Sequence, residues 1–273
     1  MLHPKYERLV SIIRNYESGI VALSGGVDST LVARASLDAL GSRALAVTGD
    51  SPSLPPGELQ DARRVASEIG IRHHIIETHE LENPDYKANP INRCYFCKSE
   101  LFDKLTTFAR DQGYATVISG DHADDVGQYR PGRKAAEERS IRFPLQEADL
   151  GKEEIRLISK DLNLPTWDRP ASPCLASRVA YGDPIDPEWL SRINVAETYI
   201  RNLGFKNVRV RHHKNLARIE VDPAQVPDLL EHRTDMAVEL ESLGWTFVTI
   251  DLTGYRSGSL NRVHMNVTPS QET

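Results

Sequence analysis

The chain has 273 residues, 40% of them hydrophobic and 26% charged, with a formal net charge of −6. That length suits one or two domains, and the apolar share suffices for a packed core, which excludes wholesale disorder. No apolar run approaches the roughly 18 residues that cross a bilayer, the opening MLHPKYERLV lacks the pattern of a signal peptide, and the mild acidity argues against a general nucleic-acid binder, so a cytoplasmic protein without a membrane partner is expected.

Residues 4–16 read as a polar lead-in helix, and 19–23 as a short apolar strand. The string Ser24-Gly25-Gly26-Val27-Asp28-Ser29 follows at once, and a helical pattern then runs to about Leu40. Further strands are expected at 43–47, 73–77 and 115–119, with a fifth at 142–145; helices are expected at 58–69, 97–110 and 151–162. Strands alternating with helices predict an α/β fold, a parallel sheet with helices on both faces, and the β-branched strands suit burial on both sides. Residues 165–187 are irregular and carry five prolines. A helix at 187–203 follows, then two runs of period-two alternation at 207–212 and 217–222, and a last strand at 246–252. Such alternation predicts half-buried, antiparallel-type strands in a small C-terminal α+β domain. The expected domains are 1–165, an irregular linker 166–186 carrying Cys174, and 187–273, with a frayed tail from about Met265.

The loop at 24–29 sits at a strand-to-helix junction, where a parallel sheet binds its ligands. Two glycines allow a tight turn and close approach to a phosphate. The following helix start offers free N–H groups and partial positive charge, and the hydroxyls of Ser24 and Ser29 can donate to phosphate oxygens. Asp28 beside an anion points to an intervening cation, Mg²⁺. The competing reading, a Gly-rich turn with a serine cap, is the weaker one for the full string. The loop lacks the Gly-Lys-Ser/Thr of a Walker A sequence. It resembles instead the PP-loop of the ATP pyrophosphatases, which include GMP synthetase, NAD synthetase and the tRNA thiolation enzymes. That resemblance implies ATP, with Ser24, Gly25, Gly26, Asp28 and Ser29 on its pyrophosphate. Ser119-Gly120-Asp121-His122-Ala123-Asp124-Asp125 resembles the family's second phosphate/Mg²⁺ loop, which nominates Asp121 and Asp124 as further Mg²⁺ ligands. Gly151-Lys152-Glu153-Glu154-Ile155-Arg156 resembles its Lys-x-Glu-Val-Arg helix start. By position in that fold, Ala22, Thr48 and Gly120 are expected at the base and ribose.

There are three cysteines, Cys94 and Cys97 spaced Cys-x-x-Cys, and the distant Cys174. An odd number in a reducing compartment is a poor disulfide framework. Cys94 and Cys97 precede a helix between Arg93 and Lys98, which favours the thiolate. Four readings stay open: a redox pair, a structural zinc that would need a fourth ligand, plain buried thiols, and a 4Fe–4S cluster held by three thiolates with one iron open. The spacing favours the last.

Pro173-Cys174-Leu175-Ala176-Ser177-Arg178 narrows the resemblance. It takes the place of GMP synthetase's Gly-Pro-Gly-Leu-Ala-x-Arg and is similar to the LarE family, ATP-dependent sulfur transferases in nickel-pincer nucleotide biosynthesis for lactate racemase maturation. The resemblance covers nearly the whole chain. It implies a pyridinium biscarboxylic acid mononucleotide as substrate, adenylation of a carboxylate with release of pyrophosphate, and displacement of AMP by sulfur to give a thiocarboxylate. Members with a single cysteine, matching Cys174, donate its own sulfur and leave dehydroalanine; members with three hold a 4Fe–4S cluster, which here implies Cys94, Cys97 and Cys174 as both ligands and catalytic residues. Sulfide or a sulfur-delivery protein is the implied donor.

The substrate's phosphate nominates Arg209 and Arg211, which share one face of a strand, and Arg178. The competing reading of that strand is a solvated charged face. Family likeness adds Glu197, Glu220 and Asp228 as ligands of a metal at a subunit contact, in a homo-hexamer built as a dimer of trimers. A tRNA thiolase is the alternative, with Arg209 to Lys214 as the sole candidate basic patch; an amidotransferase-type ligase would need ammonia and leave the cysteines without a role, and a nucleotide sensor with structural zinc would bind ATP but release no pyrophosphate.

Overall fold

The computed structural model describes residues 3–128, 130–170, 172–256 and 259–261; the tail expected from Met265 lies outside them. The chain divides into two units, one of residues 1–86 and 92–173, the other of 87–91 and 174–273. Among the described residues, no helix is long and apolar enough to cross a membrane.

In chain order the first unit contributes α1 (Pro4–Arg14), β1 (Gly19–Ala22), α2 (Val27–Leu40), β2 (Ala44–Asp50), α3 (Glu58–Ile69), β3 (His73–Glu77), the single turn α4 (Pro84–Lys87), α5 (Arg93–Asp111), β4 (Thr116–Ile118), α6 (Pro131–Glu137), the turn α7 (Pro144–Glu147) and α8 (Lys152–Asp161). The four strands are parallel in the order β3-β2-β1-β4. Successive residues of a strand point to opposite faces, and each face has its own core. Val21, Ala46 and Ile118 join Leu9, Ile13, Leu31 and Ile155. Ile20, Leu45, Val47 and Val117 join Phe102 and Leu105. The parallel α/β fold expected from the alternation of elements is therefore what forms.

Two local expectations differ from the structure. The lead-in helix is amphipathic rather than polar: Tyr6, Leu9 and Ile13, spaced by three and four, are buried. The expected fifth strand at 142–145 shrinks to one bridge between Arg142 and Ile118. Pro144 has no N–H for a ladder and opens α7 at its first position.

The second unit contains α9 (Pro187–Asn202), β5 (Arg209–His213), β6 (Leu216–Glu220), α10 (Val226–Glu231), α11 (Arg233–Ser242) and β7 (Phe247–Ile250). Asp186 caps α9 by accepting the Glu188 N–H at 2.7 Å, with Pro187 in the first helical position. β5 and β6 are antiparallel, but β7 joins β6 in parallel. The half-buried pattern expected of β5 does not hold: Arg209 and Arg211 are 8% and 6% exposed. A strap of five residues, 87–91, completes this unit. Asn89 is fully buried, and its side-chain amide donates to the carbonyls of Ala180 at 2.7 Å and Asp183 at 2.9 Å. The Lys87 carbonyl accepts the Ile185 N–H at 2.8 Å.

Candidate nucleotide site and buried arginine cluster

The loop between β1 and α2 is built as its sequence demands. Gly25 has φ +74°, a conformation that glycine adopts without strain. The hydroxyls of Ser24 and Ser29 lie 3.0 Å apart, and Ser29 Oγ accepts the Ser24 N–H at 3.1 Å. Gly26 caps α2 with extended backbone and no side chain. The result is a glycine turn with two hydroxyls at a helix start, where N–H groups and the helix dipole favour an anion.

The second loop packs on the first. A Cβ at Gly120 would lie 2.9 Å from the Ser29 amide nitrogen, so this position admits glycine alone without a backbone shift. Asp121 accepts the Ser119 hydroxyl at 2.6 Å. Asp124 accepts the Lys152 N–H at 2.7 Å, and the Lys152 ammonium reaches both carboxylate oxygens of Asp28 at 2.7 Å. Among the described residues no three metal-ligating side chains are gathered. Asp28 and Asp124 are instead brought to one place through Lys152. That arrangement fits Mg²⁺ carried by a nucleotide, because such an ion takes one or two carboxylates and completes its shell with phosphate oxygens and water.

Ala22, Thr48 and Gly120 stand toward the C-terminal ends of β1, β2 and β4, as expected. The hydroxyl of Thr48 is already committed, donating to the Leu23 carbonyl at 2.7 Å and lying 2.8 Å from His73 Nε2. A hydroxyl has one proton, so His73 carries its proton on Nε2. Burial lowers the pKa of His73.

Cys94, Cys97 and Cys174 form no disulfide; the first is exposed and the others are half-buried. α5 begins four residues earlier than expected, so Cys94 lies in its first turn and Cys97 follows three residues on, near the helix start. Their spacing and softness suit iron–sulfur ligation. Cys174 opens the longer segment of the second unit.

Within that unit the three nominated arginines lie in one charge network. Arg178 donates to the fully buried Glu197 through Nε at 2.9 Å and Nη2 at 3.2 Å. Glu197 also accepts from Arg201 at 2.7 Å and from the Val210 N–H at 3.1 Å. Arg211 donates to the equally buried Glu220 through Nε at 3.0 Å and Nη2 at 2.8 Å. Glu220 further accepts from Arg218 at 3.2 Å and from Ser259 at 2.8 Å. Arg209 pairs with no carboxylate among the described residues. Its guanidinium donates to the Val208 carbonyl at 2.7 Å and lies 5.1 Å from the Tyr255 ring centre. Burial, and then the neighbouring Arg178, lower its pKa. A buried cation with another cation beside it is a place for a multivalent anion. Glu197 and Glu220 have their oxygens occupied by arginines, while Asp228 is exposed on α10.

Two residues with prominent contacts carried no role in the sequence reading. Lys152 stands in a quoted motif, yet its contact with Asp28 spans 124 positions. Arg169 donates to the Gly25 carbonyl at 3.1 Å and to Glu58 and Asp61 at 2.9 and 2.8 Å. Nothing local in the sequence marks it.

The chain is similar to several known proteins. Residues 8–88 match the family model described as NAD synthase. An uncharacterized protein of Synechocystis is 49% identical over 96% of this chain and 99% of its own. The pyridinium-3,5-bisthiocarboxylic acid mononucleotide synthase of Lactiplantibacillus plantarum is 36% identical over 95% of each chain. The tRNA-specific 2-thiouridylase MnmA of Treponema denticola is 29% identical but shares only 56% of this chain and 52% of its own.

Proposed function

The chain belongs to the LarE family of pyridinium-3,5-bisthiocarboxylic acid mononucleotide synthases, and on that premise we propose that it is an ATP-dependent sulfur transferase acting on a pyridinium biscarboxylic acid mononucleotide in nickel-pincer nucleotide biosynthesis. The observation that carries this reading is the match along nearly both whole chains to a synthase of that product, joined to a phosphate loop with its own cation, Lys152. The tRNA thiolase reading is weaker, because its match covers only 56% of this chain and 52% of the thiouridylase.

The reaction has two steps. A substrate carboxylate oxygen attacks the α-phosphorus of ATP, forming an acyl adenylate and breaking the bond to pyrophosphate. Sulfide then adds to the acyl carbon and AMP leaves with the carbon–oxygen bond electrons, giving a thiocarboxylate. Activation is needed because a carboxylate is a poor electrophile. The amides at the start of α2 and the hydroxyls of Ser24 and Ser29 receive the phosphates. Lys152 is a fixed cation beside them and stabilises the charge that develops on pyrophosphate. Asp28, with Asp121 and Asp124, would hold the Mg²⁺ that neutralises the same charge. Ala22, Thr48 and Gly120 line the base and ribose, Thr48 by its methyl and backbone. Arg209 takes the substrate phosphate, flanked by Arg178 and Arg211; Glu197 and Glu220 hold those two arginines in place. The role of Glu197, Glu220 and Asp228 toward a metal at a subunit contact belongs to the same reading, as does a homo-hexamer in the cytoplasm.

Cys94, Cys97 and Cys174 would bind a 4Fe–4S cluster, which when bound supplies sulfide at an iron without a protein ligand. Sulfide itself or a sulfur-delivery protein replenishes it.

The test is anaerobic incubation of the protein with Mg·ATP, the biscarboxylate and sulfide. Release of pyrophosphate together with replacement of one substrate oxygen by sulfur, seen by mass, is the expected result. Pyrophosphate release without sulfur incorporation would overturn the transferase reading. About four irons and four sulfides per chain are expected for the cluster; loss of sulfur from Cys174 without iron would establish the sacrificial route instead.

A further inference from the structure

The Gly25–Gly26 peptide poses a problem that its own sequence does not solve. Glycine on both sides of a peptide unit lets it rotate at little cost. A trans peptide points its C=O and N–H in opposite directions. One orientation offers the Gly26 N–H to a phosphate at the start of α2, and the flipped one offers a carbonyl oxygen, which repels it. The observed orientation directs the Gly25 carbonyl to Arg169 at 3.1 Å. The Gly26 N–H then has only a long contact, 3.4 Å, to Ser24 Oγ, and stays available to a ligand.

Arg169 is itself fixed from two directions. Its other terminal nitrogen is shared by Glu58 and Asp61, at the start of α3. Its backbone carbonyl accepts from Arg156 on α8 at 2.9 Å, and Arg156 also holds the Trp167 carbonyl at 2.8 Å. The Gly25 carbonyl and the two carboxylates take three of the five N–H donors of Arg169, and the carboxylates offset its charge. That is the environment of a strut, not of a phosphate ligand.

We infer that Arg169 is a positioning residue that locks the Gly25–Gly26 peptide in the orientation that receives phosphate. The inference rests on the nucleotide reading of the loop. Its physical signature is a population effect. Without the lock, only a fraction of molecules present the Gly26 amide, and the apparent affinity for ATP falls by that fraction, while a molecule that has bound turns over normally.

Steady-state pyrophosphate release, with Mg·ATP binding by calorimetry, tests this on the full-length protein. Arg169→Ala is expected to raise KM and Kd for ATP by about tenfold, with kcat within about twofold. Arg169→Lys keeps one donor for the Gly25 carbonyl and should recover part of that loss. Glu58→Gln combined with Asp61→Asn should raise KM in the same direction, because the strut loses its anchor. An unchanged KM in Arg169→Ala overturns the inference, as does a fall in kcat at constant KM. Tighter ATP binding in the Glu58/Asp61 double variant would also overturn it, since freeing the guanidinium would then have created a direct phosphate ligand. Failure of the unsubstituted protein to bind Mg·ATP would overturn the nucleotide reading, and this inference with it.

Discussion

The two units handle charge in opposite ways. In the first, the charged groups of the candidate site stand on loops and at helix starts, Asp28 in α2 and Lys152 in α8, and these two remain partly open to solvent. In the second, Arg178, Arg209, Arg211, Glu197 and Glu220 are buried, around the packing of α9 on β5. An exposed ion pair contributes little to stability and can be exchanged for a ligand. A buried one is costly to break, because the partner left behind is an uncompensated charge. The first arrangement suits groups that must change partners during a reaction. The second suits a fixed electrostatic environment for a substrate anion.

If that contrast is right, deleting a charge should cost activity in one unit and stability in the other. The largest effect is expected for Glu197→Gln, which strips Arg178 and Arg201 of their shared carboxylate. It should lose about 3–5 kcal/mol in urea unfolding; a loss below about 1 kcal/mol would erase the contrast. Asp28→Asn should follow, with pyrophosphate release down by about 100-fold and an unchanged unfolding midpoint; a stability loss rivalling that of Glu197→Gln would show the loop to be structural. Arg209→Ala and Arg211→Ala sharpen the comparison within the second unit. The former should weaken substrate binding about tenfold, the scale of one charge-assisted hydrogen bond, with little change in Tm. The latter takes from the buried Glu220 its bidentate arginine and leaves it Arg218 and Ser259, so its Tm should fall below that of Arg209→Ala. Calorimetric titration and thermal melts of the pair would separate these outcomes. The smallest effect is expected for Thr48→Val: about 1 kcal/mol of stability from the lost bond to Leu23, and an ATP KM that stays within about twofold because that hydroxyl has no donor left for the base. A large rise in KM would return the Thr48 hydroxyl to the nucleotide.

The same contrast explains what could be read from the sequence. A phosphate loop needs a tight turn, two hydroxyls and a helix start within a few consecutive residues, so Ser24 to Ser29 announces itself locally. Gly120 does so almost as well, following β4 in a string that resembles a known loop. Contacts across the sheet leave no such trace: Lys152 meets Asp28, and Arg169 meets Gly25, from 124 and 144 positions away. β5 shows the opposite failure. Its alternation of apolar and charged residues is the ordinary mark of a solvated face, and partners outside it make burial of its arginines tolerable: the Glu220 carboxylate on β6 for Arg211, and the Val208 carbonyl and Tyr255 ring for Arg209.

The strap at 87–91 has a consequence for how the molecule can be made and taken apart. Its partners Ala180, Asp183 and Ile185 lie more than ninety positions downstream of its first residue. On a ribosome the strap emerges long before them, so the Asn89 amide stays hydrated until the later segment arrives, and the second unit cannot close while the first is being synthesised. Cutting the chain between residues 173 and 174 would not free two finished pieces: one fragment would keep a strap with nothing to bind, and the other would expose the carbonyls that the strap covers. The second unit is therefore laced from two distant segments, and it is complete only once both are present.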